Sequence, residues 1–309
     1  MNIVKLFRCG IRYILDSKYR FNKNASLGFY NKVPDEKFLK RTYALSMNKQ
    51  LNLEEPKTYN EKLQWLKLYD RKPIYTTMVD KYEVKKYVAD IIGEEYVIPT
   101  LGVWDKFEDV DFHSLPEQFV LKCTHDSGGL AICKDKSNFD IKKARKKINK
   151  SLKRNYYLAN REWPYKDVKP RIIAEKYMED TQTAELRDYK FFCFDGEAKM
   201  LFIATDRQKK GEETKFDFFD MDFNHLPFTN GHPNAAVIPQ KPKCFEEMKA
   251  LAEKLSANIP QVRIDFYEVD EKVYFGEITF FHWSGMKPFK PEEWDEKIGS
   301  WIKLPEKTQ

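Results

Sequence analysis

Eight short runs of aromatic and β-branched residues occupy the chain after residue 116. Turn residues separate the runs, as in the segments FDGEA and VDEK, and this combination is typical of β-strands joined by tight connections. Two segments with helical periodicity interrupt the runs, so we predict an α+β body that contains a large antiparallel sheet. The eight runs are QFVLKC, LAICK, RIIAEKYM, DYKFFCFD, EAKMLFIATD, FDFFDM, VRIDFYEV and KVYFGEITF.

The first third of the chain shows helical rather than strand periodicity. We predict one helix over residues 35–70, stopped by Pro73. A second helix is predicted over residues 76–93, with Gly93 as its C-cap.

The first 20 residues combine apolar and basic positions that a helix would separate onto different faces. Such a helix could dock on the body of the protein, or it could make peripheral contact with an anionic bilayer. Arg8 and Arg12 interrupt the apolar stretch, so the segment is not predicted to be a secretory signal. The apolar face would consist of Ile3, Phe7, Ile11, Ile14 and Leu15.

The composition is that of a globular protein, because 42% of the 309 residues are hydrophobic and 33% are charged. This length allows one or two domains, and no uninterrupted apolar run reaches the roughly 20 residues that a membrane span needs. The net charge of +6 suits anionic ligands but does not demand nucleic acid. The five cysteines are scattered without a CxxC pair, which indicates free thiols and a cytoplasmic protein rather than a zinc site.

The last two strand runs should form a hairpin that carries two acidic residues. A tight turn near Asp270 separates them, and folding the hairpin places Asp265 roughly opposite Glu277. Thr279 lies on the same face as Glu277, because side chains alternate along a strand. Mg²⁺ prefers oxygen ligands, and one or two carboxylates with substrate phosphates are typical. The hairpin therefore predicts a magnesium site, unless this face is simply solvated.

The segment VLKCTHDSGGLAICK joins two strand runs through a loop of small residues. Its sequence is compatible with an ordinary turn, but small loops with free amides also form anion-binding concavities. It is not a Walker A sequence, which requires GxxxxGK[ST] at the start of a helix. The candidate anion-binding residues are Lys122, Thr124, Ser127, Gly128 and Gly129.

The segment RIIAEKYMED runs from an apolar strand directly into polar residues. Where a strand leaves its sheet, backbone amide and carbonyl groups become free to bind a planar base; an edge strand with solvated charges is the alternative. The candidate base-binding residues are Glu175, Lys176, Tyr177, Met178 and Glu179.

The order of these parts resembles the ATP-grasp superfamily, and more narrowly the TupA-like ATP-grasp family of bacterial cell-surface polymer biosynthesis. The similarity covers roughly residues 58–304. It is carried by VDKYEVKKYVADIIGEEYVIPTLGVWD, FVLKCTHDSGG, IIAEKYMED, RDYKFFCFDG and VRIDFYEVDEKVYFGEITFFHWSG.

The resemblance implies an ATP-grasp fold, in which two α+β subdomains clamp ATP. A helical extension over residues 1–57 would precede a catalytic domain over residues 58–309, with a hinge near residues 175–180. Lys122 would contact the phosphates beneath a mobile loop of residues 124–129. Adenine would lie against the segment from Glu175 to Met178, and the ribose carboxylate would be Glu179 or Glu185.

The same resemblance implies a cationic and metal-binding centre. Lys190, Arg207 and Arg263 would neutralise phosphate charge, and His125 would donate to a phosphate or transfer a proton. Asp265 and Glu277 would bind Mg²⁺. Thr279 stands where the superfamily commonly has Asn, and a hydroxyl can serve as a ligand there.

The implied reaction is an ATP- and Mg²⁺-dependent ligation of an amine to a carboxylate through an acyl phosphate. The amine would be an amino acid, and the carboxylate would belong to a small molecule or a glycan, such as a uronic acid of a cell-surface polysaccharide. Transfer of phosphate to a hydroxyl would use the same ATP-binding residues.

Two other function classes are compatible with parts of the sequence. Asp220 and Asp222 form a DxD pattern of the kind that holds the metal and donor in a glycosyltransferase. The basic segment KKARKKINKSLKR could bind nucleic acid, but its Ile148 and Leu152 stripe indicates one buried face, so we predict no nucleic-acid partner.

Overall fold

The computed structural model of the protein describes residues 10–180, 186–207 and 211–307. The strands within these ranges are β1 Thr100–Trp104, β2 Phe119–Cys123, β3 Leu130–Cys133, β4 Ile172–Lys176, β5 Asp188–Phe194, β6 Glu197–Thr205, β7 Lys215–Asp220, β8 Thr229–Asn230, β9 Val262–Val269, β10 Lys272–Thr279 and β11 Phe289–Lys290. The α-helices with both ends described are α1 Ser17–Ser26, α2 Asp35–Met47, α3 Tyr59–Tyr69, α4 Ile74–Val79, α5 Glu83–Ile92, α6 Ile141–Leu152, α7 Tyr157–Asn160, α8 Phe245–Leu255 and α9 Glu293–Ser300.

The strands form two main antiparallel sheets and a two-stranded ribbon. The larger sheet has the order β10-β9-β5-β6-β7, the smaller sheet has the order β1-β4-β2-β3, and β8 pairs with β11. This mixture of helices and antiparallel sheet confirms the predicted fold class.

The larger sheet is covered on both faces, which explains why all seven residues of β5 are buried. Side chains alternate across a sheet, so Phe191 packs against Phe245 of α8 while Phe192 faces Tyr59 of α3. Lys190 shares the face of Phe192. The face that meets α3 therefore also carries Asp188 and Lys190 of β5 and Arg263 and Asp265 of β9.

The smaller sheet has its own core beneath the basic helix α6. Ala144 and Ile148 of α6 are buried with Phe119 and Leu121 of β2. The predicted buried face of this helix is confirmed, and most of its lysine and arginine side chains lie on the opposite, exposed face.

The predicted helix over residues 35–70 is wrong, because the chain forms two helices there. Asn48 adopts a left-handed conformation with φ 56° and ends α2. Thr58 and Glu61 form a reciprocal capping box that starts α3. Local capping thus overrides the apolar periodicity that runs through both helices.

The predicted helix over residues 76–93 is also interrupted. The Asp80 carboxylate accepts a hydrogen bond from the backbone N–H of Tyr82 at 2.8 Å, which separates α4 from α5. The predicted C-cap is confirmed, since Gly93 follows α5 with φ 117°.

The start of the chain is described only in part. Residues 10–15 are helical and mostly exposed, and α1 packs on the core through Phe21 and Ala25. Residues 1–9, with Ile3, Phe7 and Cys9, lie outside the described residues, so bilayer contact stays a prediction that sedimentation with anionic vesicles would test. In the described ranges no helix is long and apolar enough to cross a membrane.

Candidate active site

A cleft between the two main sheets consists of two adjoining chambers. The smaller chamber has a volume of about 140 Å³ and the larger one about 440 Å³. Both sheets contribute to the walls, so residues far apart in the sequence meet here. The residues that line both chambers are Ile98, Lys122, Leu130, Glu175 and Tyr267.

The smaller chamber brings together the lysine of β2 and an acidic residue of the last hairpin. Lys122 and Glu277 both line it, as do Ser127, Gly128 and Gly129 of the loop after β2. The sequence suggested these groups separately, from the glycine loop and from the hairpin. Their convergence makes this chamber a candidate site for a polyanion with a metal ion.

A buried ion-pair network crosses the floor of the smaller chamber. Lys122 and Glu175 lie diagonally across the pairing of β2 with β4, and their charged atoms are 2.5 Å apart. Lys85 of α5 approaches the other Glu175 oxygen at 2.6 Å. Burial alone would raise the pKa of Glu175, but the two ammonium groups outweigh it and lower that pKa to about 2. Glu175 is therefore an anionic clamp for two lysines.

The sequence analysis did not predict two lysines that line the smaller chamber. Lys81 and Lys85 line it from the start of α5, and the Lys81 ammonium group donates to the Asp126 carbonyl oxygen at 2.7 Å. Lys81 precedes α5 and Lys85 lies in its first turn, whereas in the predicted helix over residues 76–93 their spacing of four residues in VDKYEVKKY places both on one face. The spacing could have indicated these two lysines, but other basic residues surround them in the sequence.

The glycine loop is fixed by Asp126, a buried residue that the prediction also missed. Its carboxylate accepts from the Gly129 N–H at 3.3 Å and from the hydroxyl of Ser151 on α6. A Cβ at Gly129 would lie 2.3 Å from the Ser151 Oγ atom, and Gly128 has φ 105°. Both positions therefore require glycine, for contact and for backbone conformation respectively.

Thr124 and His125 do not face the cleft, which corrects their predicted roles. The Thr124 hydroxyl donates to the Lys169 carbonyl at 3.1 Å. The His125 Nε2 atom lies 3.1 Å from the carbonyl oxygens of Ser151 and Arg154. Both side chains are buried and anchor the loop to the segment that follows α6.

The larger chamber is an apolar pocket with a polar rim. Val120, Ile132 and Leu186 contribute apolar surface. The chain leaves β4 along another wall, where Lys176, Tyr177, Met178 and Glu179 line the chamber as a group. Arg207 lies at the rim and pairs with Asp188. Glu185 lies outside the described residues. The shape and polarity suit a planar group with polar edges.

The last hairpin carries a charged cluster in the predicted register. Asp265 pairs directly with Glu277 across the hairpin, which confirms that prediction. Arg263 holds Asp265 through two hydrogen bonds of 2.7 and 2.8 Å. One of its nitrogens also donates to Glu277 at 3.1 Å and to the Thr279 hydroxyl at 3.0 Å. Lys190 of β5 completes the cluster by pairing with Asp265.

The cluster fits a metal ion that arrives with phosphate ligands. No group of three or more His, Cys, Asp or Glu side chains in the described ranges could hold a metal alone. Glu277 is 43% exposed and lines the smaller chamber; burial opposes its ionisation, but Lys190 and Arg263 lower its pKa to about 2. Asp265, fully buried and held by Arg263 and Lys190, does not line the chamber. Mg²⁺ with one or two carboxylates and substrate phosphates matches this donor set.

The DxD pattern has a structural role in a turn. The Asp220 carboxylate accepts from the backbone N–H groups of Asp222 at 3.0 Å and Asn224 at 2.8 Å. Neither aspartate lines the two chambers. The turn after β7 thus accounts for the pattern without a metal or a sugar nucleotide.

The Glu175 network predicts loss of stability in acid. Because the folded-state pKa lies below the ordinary value, the stabilisation is fully present above about pH 4.5 and is lost as the pH falls towards 2. The loss should be on the order of 3 kcal/mol of unfolding free energy. Urea denaturation between pH 5.5 and about 2.5 should show a shallower decline for Glu175→Gln than for the wild type. Equal slopes would contradict the assignment.

Two antiparallel sheets that enclose a cleft with a basic floor and an acidic hairpin form an ATP-grasp fold. The chain belongs to the TupA-like ATP-grasp family, which matches residues 61–303. A search of curated proteins gave no match.

Several solved structures resemble the chain at low identity. D-alanine–D-alanine ligase from Helicobacter pylori is 14% identical, with 80% of this chain and 69% of that chain covered and a TM-score of 0.45. The corresponding ligase from Bacillus anthracis, complexed with ATP, is 16% identical, with 66% and 55% covered and a TM-score of 0.37. The ATP-grasp ligase PsnB, complexed with minimal precursor, Mg and ADP, is 10% identical, with 86% and 67% covered and a TM-score of 0.39.

The chain spans little more than half the length of some of these enzymes, with 55% of the Bacillus anthracis ligase covered.

Proposed function

We propose that the protein is an ATP- and Mg²⁺-dependent carboxylate–amine ligase. The observation that carries this proposal is the convergence of Lys122 and Glu277 on one small chamber, next to an apolar pocket. Family membership supports ATP as the nucleotide. The proposed domains are the helical extension over residues 1–57 and the catalytic body over residues 58–309, with the hinge at residues 175–180.

ATP would occupy both chambers. The base would lie in the larger chamber against the chain leaving β4, with Glu179 or Glu185 for the ribose. The phosphates would enter the smaller chamber, where Lys81, Lys85 and Lys122 provide positive charge. The amides of Ser127 and Gly128 would contact the phosphate oxygens, while the Gly129 N–H keeps its hydrogen bond to Asp126.

Asp265, Glu277 and the Thr279 hydroxyl would hold Mg²⁺ together with the phosphates. The ion supplies charge neutralisation for the transferring phosphoryl group. Asp265 would exchange its contact with Lys190 for the metal, which would free the ammonium group of Lys190 for a phosphate oxygen. Arg263 would remain beside the site as a fixed positive charge.

The proposed reaction first brings together two anions, the acceptor carboxylate and ATP, and then forms an amide. An acceptor carboxylate oxygen attacks the γ-phosphorus, the bond to the bridging oxygen breaks, and ADP leaves. The amine nitrogen then attacks the acyl carbon, loses a proton, and displaces inorganic phosphate. Lys190, Arg207 and Arg263 would offset the repulsion between carboxylate and triphosphate. The loop 124–129 would limit access of water to the acyl phosphate.

The proposed substrates are an amino acid as the amine and a glycan uronic acid as the carboxylate. The resemblance to a family of cell-surface polymer biosynthesis is the basis for both. An acceptor of this kind would approach from the loop after β10, where Trp283 is 37% exposed and Lys287 lies 5.7 Å above its ring. The proposed location is the cytoplasm, with peripheral contact at the inner face of the membrane.

The function is tested by incubating the protein with ATP, Mg²⁺, pooled amino acids and pooled sugar acids. We expect ADP, inorganic phosphate and a new amide that mass spectrometry detects, all dependent on both pools. A phosphorylated sugar without an amide would indicate phosphate transfer to a hydroxyl instead. AMP formation, or no nucleotide turnover with any pool, would contradict the ligase. Asp220→Asn is the matched control and should retain activity.

A further inference from the structure

A buried chain of hydrogen bonds joins the charged cluster to the loop after β10. Its central member is His282, which is only 4% exposed. The imidazole packs edge-on against Phe192 with ring centres 5.1 Å apart, and against Phe202 at 5.4 Å. These two rings lie on the face of the larger sheet that carries Lys190 and Arg263. The packing fixes the plane of the imidazole.

The direction of every hydrogen bond in this chain follows from its chemistry. The guanidinium of Arg263 can only donate, so the His282 Nδ1 atom, 2.9 Å from its Nη1, must accept. Nε2 then carries the ring proton and donates to the Asn230 side-chain oxygen at 3.1 Å. The Asn230 amide nitrogen donates to the carbonyl oxygens of Lys287 and Pro288, each at 3.2 Å.

The backbone around His282 is held in an uncommon conformation. Trp283 and Ser284 have φ values of 49° and 57°, a region that bulky residues rarely adopt and that persists only when the surroundings impose it. The fully buried Lys67 provides that constraint, because its ammonium group donates to the Ser284 carbonyl at 2.7 Å. The position of His282 is thus fixed through both its ring and its backbone.

An uncharged partner suits the guanidinium at this position. A carboxylate in place of His282 would cancel positive charge that phosphates and an acceptor carboxylate require, and a cation would repel the guanidinium. Burial, together with Arg263 and Lys190, holds the pKa of His282 well below its usual range. The imidazole can therefore orient Arg263 without neutralising it.

We propose that His282 is a positioning residue that, as the neutral Nε2–H tautomer, holds the Arg263 guanidinium in place and links it to the loop at residues 287–288. The catalytic consequence rests on the proposed function. If a metal ion took up oxygens of Asp265 and Glu277, the contact with His282 would keep one edge of the guanidinium fixed. The same chain of hydrogen bonds would couple the position of the loop at residues 287–288 to the position of the Arg263 guanidinium beside the reacting groups.

The tautomer is tested on the free protein by ¹⁵N NMR of the histidine rings. We expect the His282 resonances, assigned by their loss in His282→Phe, to show a protonated Nε2 and an unprotonated Nδ1 near neutral pH. A proton on Nδ1, or on both nitrogens, would overturn the inference. This measurement requires neither nucleotide nor acceptor.

The positioning role is tested with three variants of His282, which keep the inner hydrogen bond, the outer hydrogen bond or neither. His282→Asn can keep an acceptor near the Nδ1 position, His282→Gln can keep only the outer contact with Asn230, and His282→Phe keeps neither. We expect kcat to fall about 10- to 100-fold in His282→Phe and His282→Gln, with KM for ATP unchanged and substantial rescue in His282→Asn. The exposed His113→Phe is the matched control.

A wild-type kcat in His282→Phe would overturn the positioning role. Equal losses in all three variants would do the same, because they would indicate general damage rather than a lost acceptor. Urea denaturation of each variant identifies such damage. A wild-type protein without ligase activity would contradict the proposed function alone, whereas the wrong tautomer would contradict this inference alone.

Discussion

Replacement of Lys122 by methionine should weaken ATP binding by about 100-fold, because a charged contact to the phosphates is lost at the junction of the two chambers. Lys122 lines both chambers and is within 2.5 Å of Glu175. Methionine keeps most of the side-chain volume but removes the charge, so the cleft should retain its shape. Calorimetric titration with ATP and Mg²⁺ measures the change in affinity.

The variant also leaves Glu175 with one cationic partner, so a second change separates the two effects. In Lys122→Met with Glu175→Gln, the buried carboxylate that has lost one of its two cations is made neutral, so part of the lost stability should return, although Lys85 loses its anionic partner. ATP binding should remain weak, because the phosphate contact is still absent. Recovery of binding in the double variant would show that Lys122 acts only through Glu175. Lys146→Met, at an exposed position of α6, is the matched control.

The register of the last hairpin could be predicted to within one residue, because strand periodicity and a tight turn determine the pairing near the turn. Asp270 and Glu271 both have positive φ values, of 50° and 61°, which suits a two-residue hairpin connection. The pairs next to the turn, continued without a break, would place Asp265 opposite Gly276. The register shift between Phe275 and Glu277, which was not predictable, brings Glu277 directly opposite Asp265.

The orientation of side chains in the glycine loop could not be predicted. A loop has no fixed period, so the sequence could not indicate which polar residues face the cleft. Thr124 and His125 turn inward because carbonyl groups near α6 need donors, whereas Ser127 faces the chamber. The nearby Asp126 is buried because its carboxylate accepts a hydrogen bond from the Gly129 N–H inside the loop. Which side chains of the loop face the cleft therefore depends on long-range contacts with residues 151–171.

The charged floor of the cleft was only partly predictable for a related reason. Lys122 stood out because it follows an apolar strand, whereas Lys85 lies among other basic residues on a helix. Only the tertiary placement of α5, whose Val84 and Val88 pack in the core of the larger sheet, brings Lys85 to Glu175 of the smaller sheet. Similarly, the periodicity of residues 35–70 did not reveal the break at Asn48, because the capping interactions use few residues.

Replacement of Asp265 by asparagine should destabilise the fold strongly, by about 3–5 kcal/mol of unfolding free energy. Asp265 is fully buried and pairs with both Arg263 and Lys190, so the change leaves two cations without their shared anion. Urea denaturation measures the loss. Asp217→Asn is the matched control, because Asp217 is equally buried on β7 but accepts from a backbone N–H and contacts His225 instead of a lysine or arginine.

Glu277→Gln should behave differently, although both carboxylates are proposed to hold Mg²⁺. Its side chain is 43% exposed and contacts only one edge of Arg263, so water replaces part of the lost interactions and the loss of stability should be smaller than for Asp265→Asn. Mg²⁺-dependent ATP turnover should nevertheless fall, because the exposed carboxylate is the one that faces the chamber. Similar stability losses in both variants would contradict this division, in which Asp265 is the buried partner of two cations and Glu277 is the carboxylate open to the chamber.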